Sequence, residues 1–317
     1  MLIYYTDHFV LPLPPGHRFP MRKYAALRER VARAAPAILR VPPAATDAEL
    51  ARAHAPSYIA SVCAGTLEAR AMKRIGFPWS PLMIERSRRS AGATIAACRS
   101  ALATGCGVNL AGGTHHAHRG HGEGFCVFND AAVAARAMQA EGLATRVLIV
   151  DLDVHQGDGT AEILQGDSSV FTFSLHGRNN FPFRKHGSDL DVDLDDGADD
   201  SSYLATLRVA LPRALDRSQP DLAIYLAGAD PFHGDRLGKL ALTKTGLAAR
   251  DRYVLTQLRS SGVPVAIAMA GGYADNIDDI VDIHFATVSL ALEQWGNGES
   301  GSLTIGKPRV RPRVAAT

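Results

Sequence analysis

Short apolar runs and stretches of 3.6-residue periodicity alternate along this chain. Residues 2–5 read as an opening strand, and residues 22–35 have helical periodicity that stops at Pro36. Thr46 with Glu49 three residues later predicts a capped helix start, and a further helical piece opens at residues 54–58. Residues 74–81, which hold Trp79, predict a loop. Residues 82–103 predict a long helix whose Ala91, Gly92, Ala96 and Ala97 suit close packing. Further strands are expected at 108–111, 147–150, 169–176, 221–227 and 263–270. Leu190, Val192 and Leu194 alternate with Asp191, Asp193 and Asp195, the pattern of a half-buried strand. Helices are expected at 130–141, with Asp130 as its cap, and at 160–164, 203–216, 246–260 and 278–295. Strands alternating with helices predict βαβ units, hence an α/β fold with a parallel sheet flanked by helices on both faces. Composition shows neither a break nor a repeat, so one domain spanning 1–317 is expected, with a loose, polar and basic tail at 297–317.

Composition narrows the class. The 317 residues are 46% hydrophobic and 21% charged, as in ordinary soluble proteins. A net charge of +2 gives no bulk-charge case for nucleic-acid or membrane partners. Cys63, Cys98, Cys106 and Cys126 have no CxxC spacing and are too scattered for a disulfide framework. Reduced thiols and a cytoplasmic location are the expectation. The first residues lack a basic n-region, and no apolar stretch reaches membrane-spanning length. Nothing in the composition speaks to oligomeric state.

The candidate chemistry sits at predicted strand ends. Val147–Val150 runs straight into Asp151, Asp153, His155 and Asp158. In extended chain, residues two apart face the same way, so Asp151, Asp153 and His155 can converge. Ionisable groups at the carboxyl end of a buried strand carry a large desolvation cost unless something binds them. Three other strands end in chemistry too: His115-His116, Asp230, and Gly271-Gly272-Tyr273. A parallel sheet puts all carboxyl ends on one edge, where such folds bind ligands. Two or three carboxylates with one or more histidines suit a divalent metal, and two carboxylates with one imidazole leave open positions, as catalytic sites require. Metal-assisted hydrolysis follows, with a histidine as general base and acid and a tyrosine hydroxyl at the oxyanion. Asp151 and Asp158 are placed to orient the paired histidines.

Competing motifs fail on their residues. Positions 191–200 lack the glycine and glutamate of a calcium loop. Gly234-Asp-Arg-Leu-Gly-Lys-Leu240 is a residue short of a phosphate loop, and there is no GxSxG elbow.

Six motifs occur in order: GGTHHA, GFCVFND, DLDVHQGDG, SLH, AGADPFHGD and AGGY. Together they resemble the histone deacetylase superfamily, the arginase-like α/β fold of zinc-dependent amidohydrolases, from about Tyr5 to Leu292. PPGHRFPMRKY, IGFPWSP and NFPFRKHGSDLD look most like its class IV branch and bacterial relatives. The resemblance implies Asp153, His155 and Asp230 as metal ligands. It implies His115 paired with Asp151, and His116, the main base and acid, paired with Asp158. Tyr273 would stabilise the tetrahedral intermediate. Gly124, Phe125, Phe181 and Leu237 would line the acyl-lysine tunnel. A potassium ion would sit among the carbonyls of Asp151, Asp153, His155 and Leu175 and the side chains of Asp151 and Ser174.

The implied cofactor is Zn2+, with Fe2+ also suited to two carboxylates and an imidazole. The implied substrate is an acylated lysine peptide or acylated amine. One departure is visible: many relatives place a substrate-gripping aspartate near 76–79, where this chain reads Gly-Phe-Pro-Trp. A small-metabolite amidohydrolase of the acetylpolyamine type therefore stands as the alternative, and a non-catalytic acyl-ligand binder as a second.

Overall fold

The computed structural model describes residues 1–296. The predicted loose tail lies outside the described residues. Eight strands form one parallel sheet: β1 (Leu2–Tyr4), β2 (Leu39–Arg40), β3 (Cys106–Asn109), β4 (Val147–Asp151), β5 (Val170–Gly177), β6 (Leu190–Leu194), β7 (Leu222–Leu226) and β8 (Val265–Ala268). Their order is β2-β1-β3-β8-β7-β4-β5-β6. Ten α-helices accompany them among the described residues: α1 (Arg22–Ala34), α2 (Asp47–Leu50), α3 (Pro56–Ala64), α4 (Ala69–Ile75), α5 (Pro81–Thr104), α6 (Asp130–Ala140), α7 (Asp158–Leu164), α8 (Asp200–Ser218), α9 (Lys244–Ser260) and α10 (Ile277–Trp295). None is long and apolar enough to cross a membrane among the described residues.

Alternation along the central strands splits the core into two layers. Val147, Ile149, Leu222 and Ile224 pack on one face with α5 and α6. Leu148, Val150, Ala223 and Tyr225 pack on the other with α8, α9 and α10. A strand buried on both faces needs the continuous apolar run seen in the sequence. Each such fully buried Val, Leu or Ile contributes roughly 1.5–3 kcal/mol. The small-residue face of α5 is used as expected: a Cβ on Gly92 would sit 2.0 Å from the Pro43 carbonyl oxygen.

Some local expectations are corrected. Asn129, not Asp130, caps α6, its side chain accepting from the Ala132 N–H at 3.0 Å. The Asp130 carboxylate instead accepts from the Gly113 and Thr114 N–H groups at 3.0 and 2.7 Å, pinning the loop before His115. The expected loop at 74–81 begins inside α4, and β2 lies where no strand was expected. The Thr46–Glu49 capping box forms as predicted.

Candidate active site

The strand order places β3, β8, β7 and β4 side by side, and these are the four strands that end in chemistry. Their carboxyl ends bring Asp153, His155 and Asp230 together, one ligand atom of each within 4.8 Å of the others. His155 Nδ1 lies 2.9 Å from Asp153 Oδ1 and 3.3 Å from Asp230 Oδ2. Asp230 is fully buried, and its Oδ2 accepts no hydrogen bond. A buried, orphaned carboxylate oxygen beside a second carboxylate and an imidazole suits a divalent cation. The backbone leaves room for one: a Cβ on Gly271 would lie 1.9 Å from Asp230 Oδ2 and 2.6 Å from Asp153 Oδ2. Burial and the neighbouring Asp153 push Asp230 upward, as expected of negative charge crowded away from water.

The two histidines are held by separate carboxylates. His115 Nδ1 is 2.6 Å from Asp151 Oδ2, and His116 Nδ1 is 2.6 Å from Asp158 Oδ1. Asp151 thus faces a histidine rather than the Asp153–His155–Asp230 group. Ionised carboxylates only accept, so each Nδ1 carries the proton. For His116 this leaves Nε2 as the available base. Burial, then the adjacent His115, lowers His116 to about 4 and outweighs Asp158. Burial also opposes charge on His115, but Asp151 and Asp153 together raise it to about 9. Asp158 further receives His118 Nε2 at 3.3 Å. Burial would raise Asp158, yet the bonds from His116 and His118 keep it well below the usual carboxylate range.

Tyr273 follows β8 on a turn that several side chains fix. Its N–H donates to Asp235 Oδ2 at 2.6 Å, and its carbonyl accepts from Arg236 Nε at 2.9 Å. Asp235 Oδ1 also accepts from the Leu237 N–H at 2.8 Å, so one carboxylate ties the tyrosine turn to a cavity wall. Lys23, buried on α1, sends Nζ to the carbonyls of Ala270 and Gly272 at 3.4 and 3.2 Å and lies 5.3 Å from the tyrosine ring centre. Burial, then Asp153 and Asp230, pushes the Tyr273 hydroxyl well above its usual value, so it stays a donor. The sequence reading missed Lys23 and Asp235.

His115, His116, Asp153, His155 and Tyr273 line a cavity of about 490 Å³ together with Gly124, Phe125, Phe181 and Leu237. All four predicted tunnel residues are therefore at the cavity wall. The Phe181 ring stands edge-on to His116, centroids 4.9 Å apart. Phe125 sits at φ +66°, unfavourable for a side-chain-bearing residue. It is held there by its N–H bond to the Ile75 carbonyl at 2.8 Å, from the end of the unexpected α4. At the following residue, a Cβ on Gly76 would come 2.9 Å from the Phe125 ring. The Gly76–Trp79 segment gives the site no carboxylate: Phe77 is buried against Phe19 and Phe125. His17 rests there too, its Nε2 2.9 Å from the Gly76 carbonyl oxygen.

For the predicted monovalent-cation residues, β4–β5 pairing sets Asp151 opposite Ser174, with Leu175 next on β5. Asp151 Oδ1 accepts from the Asp153 N–H at 3.1 Å, and the Ser174 hydroxyl bonds His176 Nδ1 at 2.9 Å. His54 is structural. Its Nδ1 donates to the His118 carbonyl and its Nε2 accepts from the Asn129 N–H, each at 2.9 Å.

Comparison with known proteins bears on the family and the fold. A family model described as the histone deacetylase domain matches residues 17–288. An uncharacterized protein of Picosynechococcus sp. is 48% identical over 286 residues, covering 89% of this chain and 95% of that protein. Histone deacetylase 2 of Arabidopsis thaliana is 30% identical over 74% of this chain and 65% of its own length, and histone deacetylase 2 of Oryza sativa subsp. japonica is 32% identical over 83% and 54%. The chain thus spans between about half and two-thirds of these plant proteins. Two solved structures share the fold. The HDA15 HD domain superposes at TM-score 0.78, 24% identity, covering 94% of this chain and 93% of that one. An acetylpolyamine aminohydrolase from Burkholderia pseudomallei superposes at 0.73, 22% identity, with 92% and 98% covered. A single parallel sheet with chemistry at adjacent strand ends, and a family match over most of its length, show that this chain belongs to the histone deacetylase family.

Proposed function

We propose that this chain is a metal-dependent deacylase that frees the amine of an acylated lysine or a related acylated amine. The observation that carries the reading is the orphaned Asp230 Oδ2 behind Asp153 and His155, which line the same cavity as His116 and Tyr273. Asp153, His155 and Asp230 would hold the metal, and zinc fits the family and the donor set. When bound, it supplies a Lewis acid for the acyl carbonyl and makes water more acidic.

The chain's own groups do the rest. His116 Nε2, unprotonated, accepts a proton from the attacking water. Asp158 holds that ring and supports the imidazolium as it forms. His115, kept charged by Asp151, adds a positive field near the developing oxyanion. The Tyr273 hydroxyl donates to that oxygen. His116 then delivers its proton to the departing amine nitrogen as the carbon–nitrogen bond breaks. Phe125 and Phe181 would flank the apolar stem of the amine. A potassium ion near Asp151, Ser174 and Leu175, also part of our reading, would brace the base of the site.

Arg18, Arg74, Arg86 and Lys239 in the cavity lining, against Glu123 and Asp153, favour a peptide over a polycationic polyamine. The Gly76–Trp79 segment without a carboxylate favours the smaller amide, the chemistry named for the Burkholderia pseudomallei neighbour. Rates on an acetyl-lysine peptide and an acetylpolyamine, measured side by side on zinc-loaded protein, decide between them. Faster release from the peptide supports the proposal, and a polyamine-only activity replaces it with the second reading.

A further inference from the structure

A second group of metal-ligating side chains follows the paired histidines. His118, His121 and Glu123 each offer a ligand atom within 4.8 Å of the other two. The His118 N–H bond to the His121 carbonyl at 2.9 Å closes the turn, and the two imidazoles stack with centroids 4.3 Å apart. His118 is buried, while His121 and Glu123 are half-buried.

The hydrogen bonding sets which nitrogen is free. His118 Nε2 is directed at Asp158 Oδ2, 3.3 Å away, so Nε2 carries a proton and Nδ1 is the nitrogen left for a metal, which would displace the second proton that Asp158 and Glu162 favour on this ring. What stands before Nδ1 is another acceptor, Glu162 Oε2 at 3.7 Å. His121 Nε2 likewise stands 3.6 Å from Glu123 Oε2. Both separations are too long for hydrogen bonds. They are near the ~3.4 Å between a nitrogen and an oxygen that each lie about 2.0–2.1 Å from one tetrahedral zinc ion. A metal-ligating histidine usually donates its other ring nitrogen to a carboxylate, as His118 Nε2 is placed to do to Asp158. Glu123, Glu162 and Asp158 make the surroundings negative, opposed by Arg74 and by the charged form of His118.

We propose that His118, His121 and Glu123, with Glu162 beside them, form a second divalent-metal site at the edge of the cavity. Two imidazoles and a carboxylate select zinc, cobalt, nickel or copper over magnesium or calcium. Asp158 joins this site to His116, since its Oδ1 lies 2.6 Å from His116 Nδ1. A cation on His118 Nδ1 strengthens the Nε2–H donor, draws the Asp158 charge away from His116 and weakens that base. Occupancy therefore lowers kcat, a consequence that rests on the role proposed for His116, whereas binding itself does not.

Chelator-stripped protein titrated with Co2+ or Zn2+ tests the site by stoichiometry. The unsubstituted chain is expected to bind two equivalents, His121→Asn one and Asp230→Ala one, and the doubly substituted chain none. Asp230→Ala reads the outer site without any activity, so failure of the deacylase reading leaves this arm intact. If Asp230→Ala proves unfolded by circular dichroism, Glu123→Gln replaces it, and it is expected to lose the second equivalent and keep the first. Zinc beyond the first equivalent should slow the unsubstituted enzyme and leave His121→Asn unaffected. A folded Asp230→Ala that binds no metal, or a His121→Asn or Glu123→Gln that still binds two equivalents, overturns the proposal.

Discussion

His115 and His116 lie with ring centroids 4.2 Å apart, and their surroundings drive them to opposite charge states. Burial and His115 hold His116 at about 4, while Asp151 and Asp153 overcome burial and hold His115 at about 9. Adjacent residues on one loop thus supply a neutral base and a fixed positive charge. Activity needs unprotonated His116, so kcat/KM should fall as pH drops through about 4. It needs charged His115, so kcat/KM should fall again as pH rises through about 9. Asp151→Asn removes the partner that raises His115 and should move the upper limb toward neutrality while leaving the lower one in place. A pH–rate profile of both proteins checks this.

Tyr273 is placed as an oxyanion donor and touches none of Asp153, His155 or Asp230 by hydrogen bond among the described residues. Tyr273→Phe should therefore keep its metal, measured by elemental analysis, and lose roughly 10²–10³-fold in kcat. Loss of metal in this variant would contradict the assignment.

Gly271 gives the predicted metal group its space. A Cβ there would lie 1.9 Å from Asp230 Oδ2 and 2.6 Å from Asp153 Oδ2. Gly271→Ala should weaken metal binding by at least the roughly 10–100-fold seen when a ligand's supporting contacts are lost. Its far-ultraviolet circular dichroism should match the parent. Equilibrium dialysis against zinc provides the measurement.

His54 links the His118 turn to the start of α6 and must be neutral to accept from the Asn129 N–H. Burial lowers it from 6.5 to about 4. Between those values the unfolded chain binds a proton that the folded chain refuses. The stabilisation is therefore complete above pH 6.5 and is lost as pH falls toward 4, by roughly 3 kcal/mol at most. Urea unfolding of His54→Gln should show lower stability at pH 7 and a shallower fall on acidification. The slope should differ by up to ~1.4 kcal/mol per pH unit.

The fold and the convergence of Asp153, His155, Asp230, His115, His116 and Tyr273 were legible because each follows a run of apolar residues that only a buried strand explains. Parallel pairing then puts those ends on one edge whatever the intervening length. Lys23 was not legible: in sequence it is one more cation on an amphipathic helix, and its carbonyl partners lie 247 and 249 residues away. Asp235 was hidden in a polar loop for the same reason. The α4 segment escaped because Ala-Arg-Ala-Met-Lys-Arg-Ile offers too little apolar periodicity over seven residues. Asn129 and Asp130 are both good caps by composition, and only the loop carrying His115 decides that Asp130 is needed elsewhere.

The central claim is that a metal held by Asp153, His155 and Asp230 makes this chain a deacylase. One titration tests it most directly: chelator-stripped protein is reloaded with zinc while amine release from an acetyl-lysine peptide and an acetylpolyamine is followed in the same samples. The account predicts release that rises with the first equivalent of zinc and is absent in a folded Asp153→Ala variant. A folded, zinc-loaded chain that releases neither amine, or a stripped chain that works at full rate, would contradict it.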